Sequence, residues 1–166
     1  MGSAPASGAV WGCARHAQLG PTCCQTSEIV VTEGDKVRIA SWISRDGFWA
    51  DRQPTDPSYR DDGSDPGWSL AFHPDGSRPT LDRKPNGDCT FLGAAGCVLP
   101  LDIRPIVCRL YPFLYDEAGF TGVSDRCPKE VVPPGSTILE VLEMDQSVAA
   151  GWRTQLYAEL RAAPRR

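Results

Sequence analysis

Seven cysteines are the residues of this chain best suited to chemistry: Cys13, Cys23, Cys24, Cys89, Cys97, Cys108 and Cys127. An odd number cannot close fully into intramolecular disulfides. They fall into two groups, at 13–24 and 89–127, and one pair is adjacent. Thiolates are soft donors that select zinc, iron or iron–sulfur clusters over calcium and magnesium, which prefer oxygen. Six of the seven lie within two residues of a glycine, a proline or another cysteine. Turns of that kind leave backbone amides free to hydrogen-bond thiolates and so offset their crowded charge. The competing reading makes each a small buried hydrophobe, the commonest fate of a free cysteine. Seven in one chain, clustered and with a vicinal pair, favour metal. The spacing is not that of a paired C-x-x-C zinc site, so it does not name the metal.

His16 stands within the first group and is either a further ligand or a surface imidazole. With the seven cysteines it would complete eight donors, enough for two four-coordinate sites. A single 4Fe–4S cluster would use four. His73, before Pro74, reads as a solvated turn residue. Arg104, Arg109 and Tyr111 flank Cys108, where they could donate to thiolates or to a bound anion, or equally pair with Asp102 and the acidic loops. Neither a glycine-rich phosphate loop nor a Ser-His-Asp arrangement occurs, so nucleotide-binding and hydrolase readings have no anchor.

The elements that must carry these residues are short, because 16 glycines and 15 prolines among 166 residues interrupt regular structure. Residues 1–12 are small and form a loose N-terminus, leaving 13–166 as a single domain. Ile29-Val30-Val31 is a short strand or extended lead-in. Thr32 with Asp35 caps a helix that ends near Ser44 and turns Val37, Ala40, Ile43 and Trp42 to one side. Residues 51–67, rich in aspartate and proline, read as an exposed loop, and Trp68–Phe72 resumes an alternating, strand-like pattern. Turns are expected at Pro74-Asp75-Gly76 and Pro85-Asn86-Gly87. A hairpin should follow, with Cys89 and Cys97 beside its arms and Gly93-Ala94-Ala95-Gly96 at the reversal. Pro105 then opens a helical turn around Cys108 that Pro112 ends. Thr137 and Glu140 form a capping box for an amphipathic helix over about 137–162 built on Ile138, Val141, Leu142, Val148, Trp152, Leu156 and Leu160. Gly151 should weaken or split it. The fold class is α+β: a small, loop-rich domain organised by metal–thiolate bonds.

With 17 basic and 21 acidic residues the chain carries a net charge of −4. That offers no basic field for nucleic acid or an anionic membrane surface, and no apolar run is long enough to span a bilayer. The N-terminus lacks the basic and apolar stretches of a secretory signal. The expected compartment is therefore the cytoplasm, where thiols stay reduced and cysteine clusters serve metals.

Three segments carry a resemblance: Thr22-Cys23-Cys24; Cys89-Thr90-Phe91-Leu92 with Gly96-Cys97; and Arg104-Pro105-Ile106-Val107-Cys108-Arg109-Leu110-Tyr111-Pro112-Phe113, closing at Cys127. Together they resemble the YkgJ-type cysteine-cluster family, described as zinc- or iron-chelating domains, whose signature flagellin lysine N-methylases also carry. The resemblance covers residues 13–128. It implies a protein that holds zinc, an iron–sulfur cluster, or both through these cysteines. The alternative it implies is an enzyme doing redox or group-transfer chemistry, such as methyl transfer, on a protein or small molecule. The family opens with Cys-x3-Cys-x2-Cys-Cys, whose first two positions fall here on His16 and Gly20, while Cys13 stands three residues early. Cys23 and Cys24, if extended, would point to opposite faces; a strained vicinal geometry could turn both to one metal, but two different centres are easier to serve.

Overall fold

In a computed structural model of the chain, residues 22–126 and 132–165 are described, the side chain of Cys23 apart. Cys13, His16 and Cys127 lie outside the described residues. The architecture is α+β, with short helices and three two-stranded antiparallel sheets. The helices are α1 (Cys23–Thr26), α2 (Glu33–Ile43), α3 (Pro66–Ser69), α4 (Ile106–Leu110), α5 (Ile138–Val141) and α6 (Gln146–Ala162). The strands are β1 (Trp49–Arg52), β2 (Arg78–Leu81), β3 (Leu92–Gly93), β4 (Gly96–Cys97), β5 (Phe113–Tyr115) and β6 (Phe120–Val123), paired consecutively.

Two hydrophobic clusters fill the interior, and the segment Ile29-Val30-Val31 runs between them. Successive side chains of an extended chain point to opposite faces. Val30 accordingly packs with Ile106, Leu110, Phe113, Leu156 and Leu160, and Val31 with Ile39, Phe48, Leu81, Phe91 and Leu99. The segment docks on β2 through the amide of Val31 to Pro79 O (3.1 Å) and that of Leu81 to Ile29 O (2.9 Å). It is thus the extended lead-in that three β-branched residues predict.

Helix α2 starts at the expected cap, with Thr32 and Asp35 exchanging hydrogen bonds, and ends at Ser44 in a left-handed conformation. Its buried face differs from the expected one. Asp35 and Ile39 point inward, while Val37 is 67% and Trp42 49% exposed. Apolar spacing misled here because the residue that docks the helix is a carboxylate. The 51–67 stretch is not one loop either. It enters β1, forms a 3-10 turn at Pro57–Tyr59 and ends in α3. Two of its aspartates are local caps: Asp56 accepts from the Ser58 amide (2.8 Å) and Asp65 from the Gly67 amide (3.2 Å). Trp68 therefore sits in a helical turn, and the alternating pattern at 68–72 does not make a strand. Gly67 is needed there, since a Cβ would lie 2.8 Å from the Tyr157 ring.

The predicted turns are present, with Gly76 at φ +84° and Gly87 at φ +91°. The β3–β4 hairpin pairs Leu92 with Cys97 across Ala94-Ala95. At the C-terminus the capping box of Thr137 and Glu140 starts only α5. The break falls at 142–145, where Glu143 has φ +54° and Asp145 caps α6; Gly151 stays helical. An N-cap aspartate accepting from the Ser147 amide (2.7 Å) restarts the helix more strongly than one glycine weakens it. Val148, expected inside, is half exposed, and Tyr157 takes its place in the core.

One polar cluster joins these parts. The fully buried Asp35 carboxylate accepts from Arg38 Nη2 (2.7 Å), the Thr32 amide (3.1 Å) and the Ile106 amide (3.2 Å), the first residue of α4. Glu159 of α6 receives Arg38 Nη1 (2.7 Å) and the Thr32 hydroxyl, tying the C-terminal helix to the same place. Burial pushes the Asp35 carboxyl above its ordinary value, and the Thr32 amide and Arg38 oppose that push. Deleting the carboxylate takes this acceptor from the Thr32 and Ile106 amides and leaves Arg38 with Glu159 alone. Asp35→Ala should lower unfolding free energy by roughly 3 kcal/mol. Urea titration checks this, with Asp88→Ala on an exposed turn expected to change little.

Candidate metal centre

Four cysteines from four separate segments meet at one small cavity. Cys24 comes from α1, Cys89 from the stretch after the Pro85-Asn86-Gly87 turn, Cys97 from β4 and Cys108 from α4. The cavity holds about 70 Å³ and is otherwise walled by Ile29, Leu81, Phe91, Leu99, Arg104 and Tyr111. Each cysteine is placed by a local device. The Cys24 carbonyl accepts from the Cys89 amide (2.6 Å) and from Arg83 Nη1 (3.3 Å), so the first two segments are joined through backbone. Arg83 also binds Gly87 O at 2.7 Å and thereby holds the turn that precedes Cys89. The β3–β4 register fixes Cys97. Cys108 rides on α4, whose first amide is held by Asp35.

The thiols sit in surroundings that treat negative charge in two opposed ways. Burial pushes the Cys89 thiol up to about 11, raises Cys97, and raises Cys108 well above its ordinary value, where neighbouring Cys24, Cys89 and Cys97 would repel its thiolate. Against this, the Phe91 amide donates to the Cys89 sulfur and the Leu99 amide to the Cys97 sulfur, two residues on in each case. The Arg104 side chain also hydrogen-bonds Cys97, and its Nε donates to Leu99 O (2.9 Å). Amide and guanidinium donors aimed at sulfur stabilise thiolates rather than thiols. A cation among them would supply what the apolar wall denies. Among the described residues no three Cys, His, Asp or Glu side chains stand close enough to hold an ion as they are. Binding would require the four thiols to converge further.

Of the sequence-derived candidates, Cys24, Cys89, Cys97 and Cys108 share this cavity with Arg104 and Tyr111. Arg109 does not line it. Its guanidinium lies on the opposite side of α4, toward Asp35, Arg38 and Glu159, with Nε donating to Arg104 O (2.9 Å). Helical geometry explains this, since neighbours in sequence are turned about 100° apart. His73 Nε2 lies 2.9 Å from Asp51 Oδ1 beside its turn and does not line the cysteine cavity. Cys23 and Cys24 lie in a helical turn, so the extended geometry that would set them on opposite faces is not present. Sequence reasoning missed Asp35 and Arg83 as positioning residues; the one signal was aspartate where a capping box usually has Glu or Gln.

No protein-family model, curated protein or solved structure matches this chain. No helix among the described residues is long and apolar enough to cross a membrane.

Thiols with raised values in the folded state make stability depend on pH in one direction. Folded and unfolded chains bind protons alike below the ordinary thiol value, 9.0; above it the unfolded chain ionises first, so stability falls until the buried thiols also ionise. In metal-free, reduced protein the urea midpoint should hold level to pH 9.0 and fall toward about 11. The slope should shrink in Cys89→Ala.

Proposed function

We propose that this chain is a metal-binding protein that holds zinc or an iron–sulfur cluster through Cys24, Cys89, Cys97 and Cys108. The observation that carries the reading is the convergence of four cysteines from distant segments on one cavity, with amide donors on two of the sulfurs. Chance packing of small hydrophobes gives no reason for main-chain donors to face sulfur. Four thiolates suit a closed tetrahedral zinc or one cubane cluster, and hard cations are disfavoured because no carboxylate among the described residues lines this wall, whose side-chain oxygens are the hydroxyls of Thr22 and Tyr111. The resemblance of these segments to the YkgJ-type cysteine-cluster family supports the same reading. Cys13, His16, Cys23 and Cys127 remain proposed ligands for this or a second centre.

A second reading, a metal- or cluster-dependent enzyme in redox or group-transfer chemistry, is favoured by one observation. Cys108 and Tyr111 also line a larger neighbouring cavity, of about 340 Å³, which a substrate could occupy. A structural zinc site would be closed on all sides, whereas a catalytic one needs such an approach.

Anaerobically purified protein should contain zinc, or iron with sulfide, in near-stoichiometric amount. Cys89→Ala and Cys108→Ala should each lose most of it, and chelation should lower the melting temperature, because metal and fold are linked. Neither zinc nor iron above trace, or full metal in both variants, would defeat the proposal. Whether Cys23→Ala removes only part of the metal decides between one centre and two.

A further inference from the structure

The neighbouring cavity of about 340 Å³ has features that the cysteines do not explain. Its walls include Trp68, Tyr59, Phe113 and Tyr115, and the half-exposed Leu114. Its charged residues are Glu28, Arg78 and Arg126. Arg78 is 1% exposed, and its ion pair with Glu28 is a long one: Glu28 Oε2 stands 3.6 Å from Nη2, which also donates to the Glu28 carbonyl at 3.5 Å. Its Nε is buried without a hydrogen-bond partner among the described residues. Glu28 is engaged elsewhere, its Oε1 accepting from the amides of Thr55 (2.9 Å) and Asp56 (3.4 Å) and from the Thr55 hydroxyl. The Arg78 guanidinium lies instead by the rings of Tyr59 (5.2 Å) and Phe72 (5.4 Å). Arg38 shows the contrast, meeting two carboxylates at 2.7 Å. A buried cation so weakly paired is costly, and the wall around it is aromatic.

We propose that this cavity binds a small aryl-substituted monocarboxylate, with its carboxylate on Arg78 and its ring against Trp68, Phe113 and Tyr115, beside Cys108. A guanidinium is matched in shape to a carboxylate, and aromatic walls suit a flat apolar body. Two arginines against one glutamate leave one net positive charge, which fits a monoanion better than a phosphate dianion. The volume lies at the small end of ligand pockets. Nothing in this depends on metal in the cysteine cavity.

Phenylacetate, titrated calorimetrically into the protein as purified, should bind saturably, with phenylacetamide and inorganic phosphate at least tenfold weaker. Leu114→Glu, at a half-exposed position, should weaken phenylacetate about tenfold and leave the melting temperature unchanged. Arg78→Met should abolish binding while keeping or raising the melting temperature, since an apolar side chain replaces an ill-paired buried charge. The proposal is overturned if phenylacetate does not saturate, if the amide or phosphate binds as tightly, or if Leu114→Glu binds it unchanged. Should Arg78→Met fail to fold, the wild-type ligand series and Leu114→Glu still decide.

Discussion

A single buried carboxylate organises much of this molecule. Asp35 caps its own helix, pairs with Arg38 and receives the first amide of the helix that carries Cys108. Through Arg38 and Thr32 it also reaches Glu159 and so fixes the long C-terminal helix. Removing the charge from water is expensive, and the cost is offset because Arg38 and the amides of Thr32 and Ile106 all donate to it. Three elements distant in sequence are therefore held in one arrangement. A hydrophobic contact at the same place would stabilise them without fixing their relative angles.

The cysteine cavity rests on that arrangement at one side and on the Cys24–Cys89 backbone bond at the other. Short helices, tight turns and two-residue strands are weak elements individually. They are dependable here because their ends are tied by main-chain hydrogen bonds and by Arg83 and Arg104, which bind carbonyls beside the thiols. The two arginines thus serve geometry and electrostatics together. They hold the loops and place positive charge where sulfur would become negative.

Two cavities with unlike walls share Cys108 and Tyr111. One is lined by thiols; the other is aromatic and holds an arginine whose ion pair with Glu28 is long, at 3.6 Å. Their adjacency follows from α4, a single helical turn between Pro105 and Pro112 with one side on each.

Local features were legible in the sequence because their causes are local. Thr32 with Asp35, Thr137 with Glu140, the glycines at 76 and 87 and the Ala94-Ala95 reversal act through hydrogen bonds and φ angles within a few residues. The cysteines stood out by type and number, and four of them line one cavity. The inward face of α2, the helical rather than extended state of Trp68 and the break before Asp145 were not legible, since each depends on partners elsewhere in the chain. Arg109 and Arg104 look equivalent around Cys108, yet Arg109 on α4 lies toward Asp35, while Arg104, ahead of the helix, hydrogen-bonds Cys97. Residue type determined what chemistry this protein could do. Only packing decided which side chains face one another, because burial and pairing are properties of surroundings and not of spacing.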